Sequence, residues 1–216
     1  MKKNLTEIVF ILDRSGSMSG LERDTIGGYN SMLAKQRREK GEALISTVLF
    51  DGVSEVLHDR VPIDRISDIT ERDYYVRGCT ALLDAVGGAI HHIGNVHKYA
   101  RDEDRPKRTL FIITTDGMEN TSRRYSYERV RDMIEHQKRH YGWEFIFLGA
   151  NIDAAEVGAR MGIDSDHSVE YTNDSIGQRV NYEAMSEAIS HVRACGAPLR
   201  ANWKASIEKD RKTRRR

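Results

Sequence analysis

The chain has 216 residues, of which 39% are hydrophobic and 31% charged, and its formal net charge is +1. This length fits one domain, and the high charge content excludes a protein embedded in a membrane. We therefore expect one apolar core and no membrane association.

Strand-like and helical segments alternate along most of the chain. Strand-like runs cover 7–13, 44–50, 54–61, 109–115, 143–149 and, more weakly, 167–171. Helical periodicity covers roughly 21–40, 81–100, 125–140, 153–161 and 174–195. This alternation predicts a three-layer α/β sandwich with a mainly parallel central sheet. A short Asp-Gly turn joins 44–50 to 54–61, which predicts a β-hairpin and one antiparallel edge strand.

The C-terminal segment differs in charge from the rest. Residues 204–216 hold seven Lys/Arg against two acids, a balance of +5 that leaves about −4 on the remainder. We expect one domain over 1–197, whose last helix ends near Pro198, and a basic tail over 198–216. Such tails are commonly solvated and disordered, and that is the expectation here. RNA binding through the tail is the alternative, although the negative balance of the body argues against a broad nucleic-acid face.

Three segments rich in side-chain oxygens lie where predicted strands end or predicted helices begin: 13–17, 78–80 and 114–117. Ligands of open parallel sheets bind outside the carboxyl ends of the strands. The candidate metal ligands are Asp13, Ser15, Ser17, Thr80 and Asp116. This set of oxygen donors suits Mg²⁺ or Mn²⁺ better than zinc or copper. Taken singly, each segment also fits an ordinary helix cap or turn, but three such coincidences together favour a metal site.

The order Asp-x-Ser-x-Ser, a distant Thr and a distant Asp-Gly resembles a von Willebrand factor type A domain with a complete metal-ion-dependent adhesion site (MIDAS). The resemblance covers about residues 5–195 and is to the bacterial or phage intracellular type. It implies a Rossmann-like fold in which Ser15 and Ser17 ligate the cation directly and Thr80 directly or through water. Asp13 and Asp116 would act mainly through water. Mg²⁺ is the implied cation, with Mn²⁺ or Ca²⁺ as alternatives, and a protein partner supplies an Asp or Glu carboxylate.

The sequence contains no Gly-x-Ser-x-Gly, phosphate-binding loop or dinucleotide fingerprint. We therefore expect a non-enzymatic interaction or scaffold protein. The enzymatic alternative is a Mg²⁺-dependent phosphoryl-transfer enzyme, because an aspartate after the first strand is also the nucleophile of dehalogenase-like phosphatases. Such enzymes use a second aspartate two residues on, and Ser15 occupies that position.

For the cellular location and for several other residues, the sequence favours ordinary interpretations. The apolar run 8–12 is far shorter than a signal-peptide core, and the two cysteines have no metal-type spacing, so a cytoplasmic location is expected. Cys79 is expected to be a small buried side chain beside its loop. His136 and His140 lie one helical turn apart among polar neighbours, which predicts a solvated face. Residues expected to pack near the site or form its rim are Tyr74, Tyr75, Met118, Glu119 and Asn120.

Overall fold

The computed structural model describes residues 2–195, 199–200 and 202–214. Within this part, a six-stranded sheet forms the centre of the molecule. Its strands are β1 (Lys2–Asp13), β2 (Glu42–Phe50), β3 (Ser54–Pro62), β4 (Pro106–Thr115), β5 (Glu144–Ala150) and β6 (Ser168–Tyr171). The order is β3-β2-β1-β4-β5-β6, and only the β2–β3 pair is antiparallel. The predicted mainly parallel sheet with one antiparallel edge strand is confirmed.

Helices cover both faces of the sheet. In the described ranges they are α1 (Glu22–Arg37), α2 (Leu82–Tyr99), α3 (Tyr127–Tyr141), α4 (Ala154–Arg160), α5 (Ser175–Cys195) and α6 (Ala205–Arg214). One apolar cluster joins the sheet to α1, α5 and α6, and a second joins it to α2, α3 and α4. The architecture is the predicted three-layer sandwich. No helix of the described residues is long and apolar enough to cross a membrane.

The unbroken apolar run of β1 follows from its central position. Ile8, Phe10 and Leu12 belong to the first cluster, whereas Val9 and Ile11 belong to the second. Successive side chains of a strand point to opposite faces, so a strand covered on both sides needs apolar residues at every position. The run ends at Asp13, which also ends the strand.

The expectation of a solvated, disordered tail is wrong for the described part of that segment. Trp203 and Ile207 lie in the core, 8% and 2% exposed, and α6 packs against α5 and β6. The Trp203 indole donates a hydrogen bond to the carbonyl of Asp166 at 2.8 Å, and the Lys204 ammonium donates to the carbonyl of Ser168 at 3.0 Å. Two apolar anchors among many charges are too few to give a clear helical pattern. The expected domain boundary between 197 and 198, and Pro198 itself, lie outside the described residues.

Candidate metal centre

The candidate site lies where the strand order reverses. The chain passes from β1 to β2 on one side, whereas β4 pairs with the other side of β1. Asp13 ends β1, and Asp116 immediately follows β4. Because the two strands are parallel, both aspartates lie at the same edge of the sheet, at the crevice where open α/β sheets bind ligands.

Asp13 is a buried carboxylate held by several donors. Its Oδ1 accepts the backbone N–H of Ser15 at 2.7 Å, and its Oδ2 accepts the Thr115 hydroxyl at 2.6 Å and the backbone N–H of Asp116 at 3.3 Å. The buried Tyr74 hydroxyl donates to the Asp13 carbonyl at 2.5 Å. Burial raises the pKa of Asp13, while the hydrogen bonds from Ser15 and Thr115 oppose that rise. These contacts fix the carboxylate within the edge of the sheet.

Three hydroxyls converge beside this carboxylate. Ser15 Oγ and Ser17 Oγ are 3.1 Å apart. A Cβ built on Gly117 would lie 3.5 Å from Ser17 Oγ and 3.6 Å from Thr80 Oγ1, so both oxygens face the space above a residue without a side chain. The Thr80 loop is held by reciprocal bonds, since the Thr80 N–H donates to Asn120 Oδ1 at 3.0 Å and the Asn120 N–H donates to the Thr80 carbonyl at 3.1 Å. Ser15 and Thr80 are buried, whereas Ser17 is exposed, which opens the cluster to solvent.

Asp116 completes the cluster and is held by two side-chain amides. Asn151, after β5, donates to Oδ1, and Asn173, after β6, donates to Oδ2. Asn151 adopts a left-handed backbone conformation with φ of 56°. Burial raises the pKa of Asp116 to about 6, although the Asn151 hydrogen bond lowers it, and the charge of Asp13 adds to the rise. Sequence reasoning missed both asparagines, because single Asn residues after strands are also ordinary turn residues.

The structure thus brings all five predicted residues to one edge of the sheet. Among the described residues, His, Cys, Asp and Glu form no group of three that could hold a metal, so a cation here depends on hydroxyl oxygens. The donors present are hydroxyls and carboxylates, which fit a hard divalent cation. Ser15, Ser17 and Thr80 would hold it, with Asp13 and Asp116 supplying negative charge. A cation would also offset the cost of burying two neighbouring carboxylates.

Arg14, inside the Asp-x-Ser-x-Ser pattern, serves the scaffold. Its side chain is fully buried, with Nε 2.9 Å from Asp51 Oδ2 and one terminal nitrogen 2.7 Å from Glu55 Oε2. Arg77 Nε contacts the same Asp51 oxygen at 2.8 Å, and both guanidinium carbons lie 5.3 Å from the centre of the Tyr75 ring. These contacts tie the loop after β1 to the β2–β3 turn and to the segment that leads to Thr80.

The remaining residues near the site divide into rim and support. Met118 is 63% exposed and Tyr75 is 43% exposed, so both lie on the rim. Glu119 instead supports the loop, because its carboxylate accepts the backbone N–H of Leu83 at 2.9 Å. The expectation that Cys79 is buried is wrong, since its side chain is exposed.

The predicted solvated face of α3 is present. His136 and His140 are exposed, and their ring centres are 4.6 Å apart. They line a groove of about 930 Å³ between α2 and α3. None of the five candidate ligands lines this groove.

Known proteins match this chain through their structures. No family model matches the sequence, and no curated protein matches it. The vWF domain of the type V pili tip protein Mfa5 from Porphyromonas gingivalis matches with a TM-score of 0.61 at 11% identity, covering 88% of this chain and 96% of that one. Proximal thread matrix protein 1 from the mussel byssus, with a zinc occupied MIDAS motif, matches with a TM-score of 0.59 at 14% identity, covering 87% and 46%. Manganese-loaded TRAP protein from Plasmodium vivax matches with a TM-score of 0.55 at 15% identity, covering 83% and 73%.

These likenesses concern the fold, since all the identities are low. The chain spans about half the length of the mussel byssus protein. Together with the strand order, they identify the fold as an α/β, Rossmann-like fold of the von Willebrand factor A type.

Proposed function

We propose that the protein is a divalent-cation-dependent module that binds another protein through its MIDAS-like edge. The observation that carries this proposal is the convergence of the Ser17 and Thr80 hydroxyls over Gly117, beside the buried Asp13. Mg²⁺ is the cation we propose, with Mn²⁺ or Ca²⁺ as alternatives. Solved structures of the same fold with zinc at a MIDAS or loaded with manganese support a cation here.

The charges of the site support a carboxylate as the partner's contact. Two aspartates roughly neutralise one divalent ion, and neutral hydroxyls add no further charge. A cation held in this way still attracts one more anionic oxygen. Ser17 is the exposed member of the cluster, so a partner's Asp or Glu would approach from its side.

The proposal includes no catalytic activity. A phosphoryl-transfer enzyme of the alternative type needs a carboxylic acid two residues after Asp13, and the Ser15 hydroxyl does not titrate near neutral pH. Asp13 itself already accepts hydrogen bonds on both oxygens, which weakens it as a nucleophile. Metal-dependent release of phosphate from a generic phosphoester would favour the enzyme instead.

The RNA-binding alternative finds little support in α6. Arg211 pairs with Glu170 and Arg214 pairs with Asp174, so two of its basic side chains already have acidic partners. The exposed thiol of Cys79 suits a reducing compartment, and we propose a bacterial or phage-derived cytoplasmic protein.

The first experiment is thermal unfolding of the purified full-length chain in EDTA and in millimolar Mg²⁺, Mn²⁺ or Ca²⁺. A cation bound only by the native state stabilises it, by about 2.7 kcal/mol at a hundred times its dissociation constant. We expect the midpoint to rise with cation, and Ser15→Ala and Ser17→Ala to abolish the rise. Ser19→Ala, at an exposed serine of the same loop, is the matched control and should keep it. A rise that survives both site variants would overturn the assignment.

The second experiment tests capture of a carboxylate-bearing partner. Immobilised wild-type protein is exposed to a cell extract in Mg²⁺ and in EDTA, beside Ser15→Ala and Ser19→Ala. We expect a protein retained in Mg²⁺ by the wild type and by Ser19→Ala, released by EDTA and absent with Ser15→Ala. Blocking the carboxyl groups of the retained protein should abolish its capture. If the protein is retained equally with and without EDTA, and equally by wild type and by Ser15→Ala, the proposed function is refuted.

A further inference from the structure

The carboxylate of Asp116 is oriented from a loop distant in sequence. Asn173, between β6 and α5, donates its amide N–H to Asp116 Oδ2. Its amide oxygen accepts the side-chain N–H of Gln178 at 3.0 Å, and Gln178 is 2% exposed. Because Gln178 occupies the oxygen, the nitrogen of Asn173 must face Asp116. The Asn173 amide group is therefore hydrogen-bonded through both its nitrogen and its oxygen.

The C-terminal helix α6 contacts this same loop. Asp174, the next residue, accepts the backbone N–H of Gly177 on Oδ1 at 2.8 Å and pairs with Arg214 through Oδ2. Asp210, one turn earlier on α6, contacts a terminal nitrogen of Arg214 at 2.5 Å and its Nε at 3.1 Å. Arg214 is thus oriented by its own helix toward the residue beside Asn173.

The packing around Gly177 leaves this loop little freedom. A Cβ at Gly177 would overlap the carbonyl oxygen of Thr172 and would lie 3.2 Å from a terminal nitrogen of Arg214. The first turn of α5, the loop and the end of α6 are therefore in close contact. A displacement of Arg214 removes one side of this packing, and Asn173 lies in the same loop, between Thr172 and Asp174.

The rest of α6 is anchored elsewhere. Trp203 and Ile207 hold the start of this segment in the core, and Arg211 pairs with Glu170 of β6. Arg214 is the α6 contact that reaches the loop bearing Asn173. Among the described residues, the arginines of α6 make two ion pairs with other elements, Arg211–Glu170 and Arg214–Asp174, and the second of these touches that loop.

We propose that Asn173 is a positioning residue for the metal centre, and that Arg214 of α6 holds it in place through Asp174, so that this one contact sets the affinity of the site for its cation. This inference rests on the proposed function. A carboxylate that is oriented before the cation arrives loses less freedom on binding, and such ordering contributes to affinity. A change that breaks the Arg214–Asp174 contact then weakens cation binding and, with it, capture of the partner.

The test is the dissociation constant of Mn²⁺, measured by calorimetry on the 216-residue chain without any partner. Loss of one ordered contact predicts an affinity about two- to tenfold weaker for Asn173→Ala and for Arg214→Ala. Arg211→Ala is the matched control, because it breaks an ion pair of the same helix and should leave the constant unchanged. Arg214→Lys keeps the charge and should recover part of the loss. The double variant Asn173→Ala/Arg214→Ala should be no weaker than the weaker single variant, since both changes break one chain of contacts.

A readout without cation separates positioning from general stability. In EDTA, hydrogen exchange over 172–178 should be faster in Arg214→Ala than in Arg211→Ala, while exchange in β1 and β4 stays alike in the two. Equal Mn²⁺ affinities for these two variants, or additive losses in the double variant, would overturn the coupling.

Ser15→Ala distinguishes failure of the Arg214 coupling from failure of the metal site itself. If it abolishes Mn²⁺ binding while Arg214→Ala binds like wild type, the coupling fails and the metal site stands. If Ser15→Ala binds Mn²⁺ as wild type does, the cation lies elsewhere, and both the proposed function and the coupling fail.

Discussion

The cation-free site should make the protein less stable as the pH rises through the range in which Asp116 ionises. Its pKa is about 6 in the folded chain, against an ordinary value of 3.8, because burial disfavours the charged form. The folded state therefore binds this proton more tightly than the unfolded chain does. The resulting stabilisation is fully present below pH 3.8 and is lost as the pH rises through about 6. A difference of about two units corresponds to about 3 kcal/mol.

Other groups also titrate over this range, so the variant Asp116→Asn is required. Burial raises the pKa of Asp13, which acts in the same direction as Asp116. Burial lowers the pKa of His58 and His167, which therefore cost stability as the pH falls below 6.5. The two histidine contributions are shared by wild type and variant, whereas Asp13 interacts with the charge of Asp116. The difference in unfolding free energy between the two proteins reports the titration of Asp116 together with its coupling to Asp13, and a constant offset from the lost carboxylate does not change its slope.

The assay is urea unfolding in EDTA at several pH values from 4 to 7.5. We expect wild type to lose up to about 3 kcal/mol relative to Asp116→Asn between pH 4 and pH 7. Saturating Mn²⁺ at pH 7 should restore wild type and leave Asp116→Asn unchanged, because the cation replaces the proton as the counter-charge. A difference that stays flat, or that grows in favour of wild type as the pH rises, would refute the reasoning from buried charge.

Three further predictions concern the scaffold, each measured as a change in the free energy of unfolding. Gly28→Ala should destabilise the protein by about 1–3 kcal/mol, because the added Cβ would overlap the Tyr182 ring. Gly27→Ala, in open space on the same helix, should stabilise it by about 0.5–1 kcal/mol. Equal effects of the two substitutions would contradict this packing. Ser126→Ala removes the side-chain cap of α3 and should cost about 1 kcal/mol, and Ser126→Asp should retain most of the stability. Trp203→Ala should cost about 3–5 kcal/mol, whereas a solvated tail would leave stability unchanged within about 0.5 kcal/mol.

The sequence predicted the sheet and the five candidate ligands because both leave local patterns. The apolar run that ends at Asp13 marks a strand buried on both faces, and the Asp-Gly turn marks the hairpin. The candidate ligands Ser15 and Ser17 lie two and four residues after Asp13, which ends that strand. In each case the deciding information lies within a few residues, and helices and strands impose fixed periods on it.

The features that were missed depend on contacts between distant segments. Asn151 and Asn173 act on one carboxylate only because β5 and β6 end at the same edge of the sheet as β4. The helix α6 is stabilised by Trp203, whose partner Asp166 lies 37 positions earlier in the chain. Cys79 is exposed in the loop before α2, and no sequence pattern predicts that exposure. Single polar residues in loops have many local roles, so their sequence gives no preference for a distant partner.

The two outer strands of the sheet limit how this molecule can meet copies of itself. Strand β3 has register shifts against β2, and Arg60 within it adopts a φ of 52°, so its outer edge is irregular. Strand β6 is four residues long, and the Lys204 ammonium donates a hydrogen bond to the carbonyl of its first residue, Ser168. Long, flat, unpaired edges are the templates on which β-rich proteins aggregate, and neither edge meets that description. Because α6 also packs against β6, this end of the sheet offers little open edge to a second molecule when the protein is concentrated.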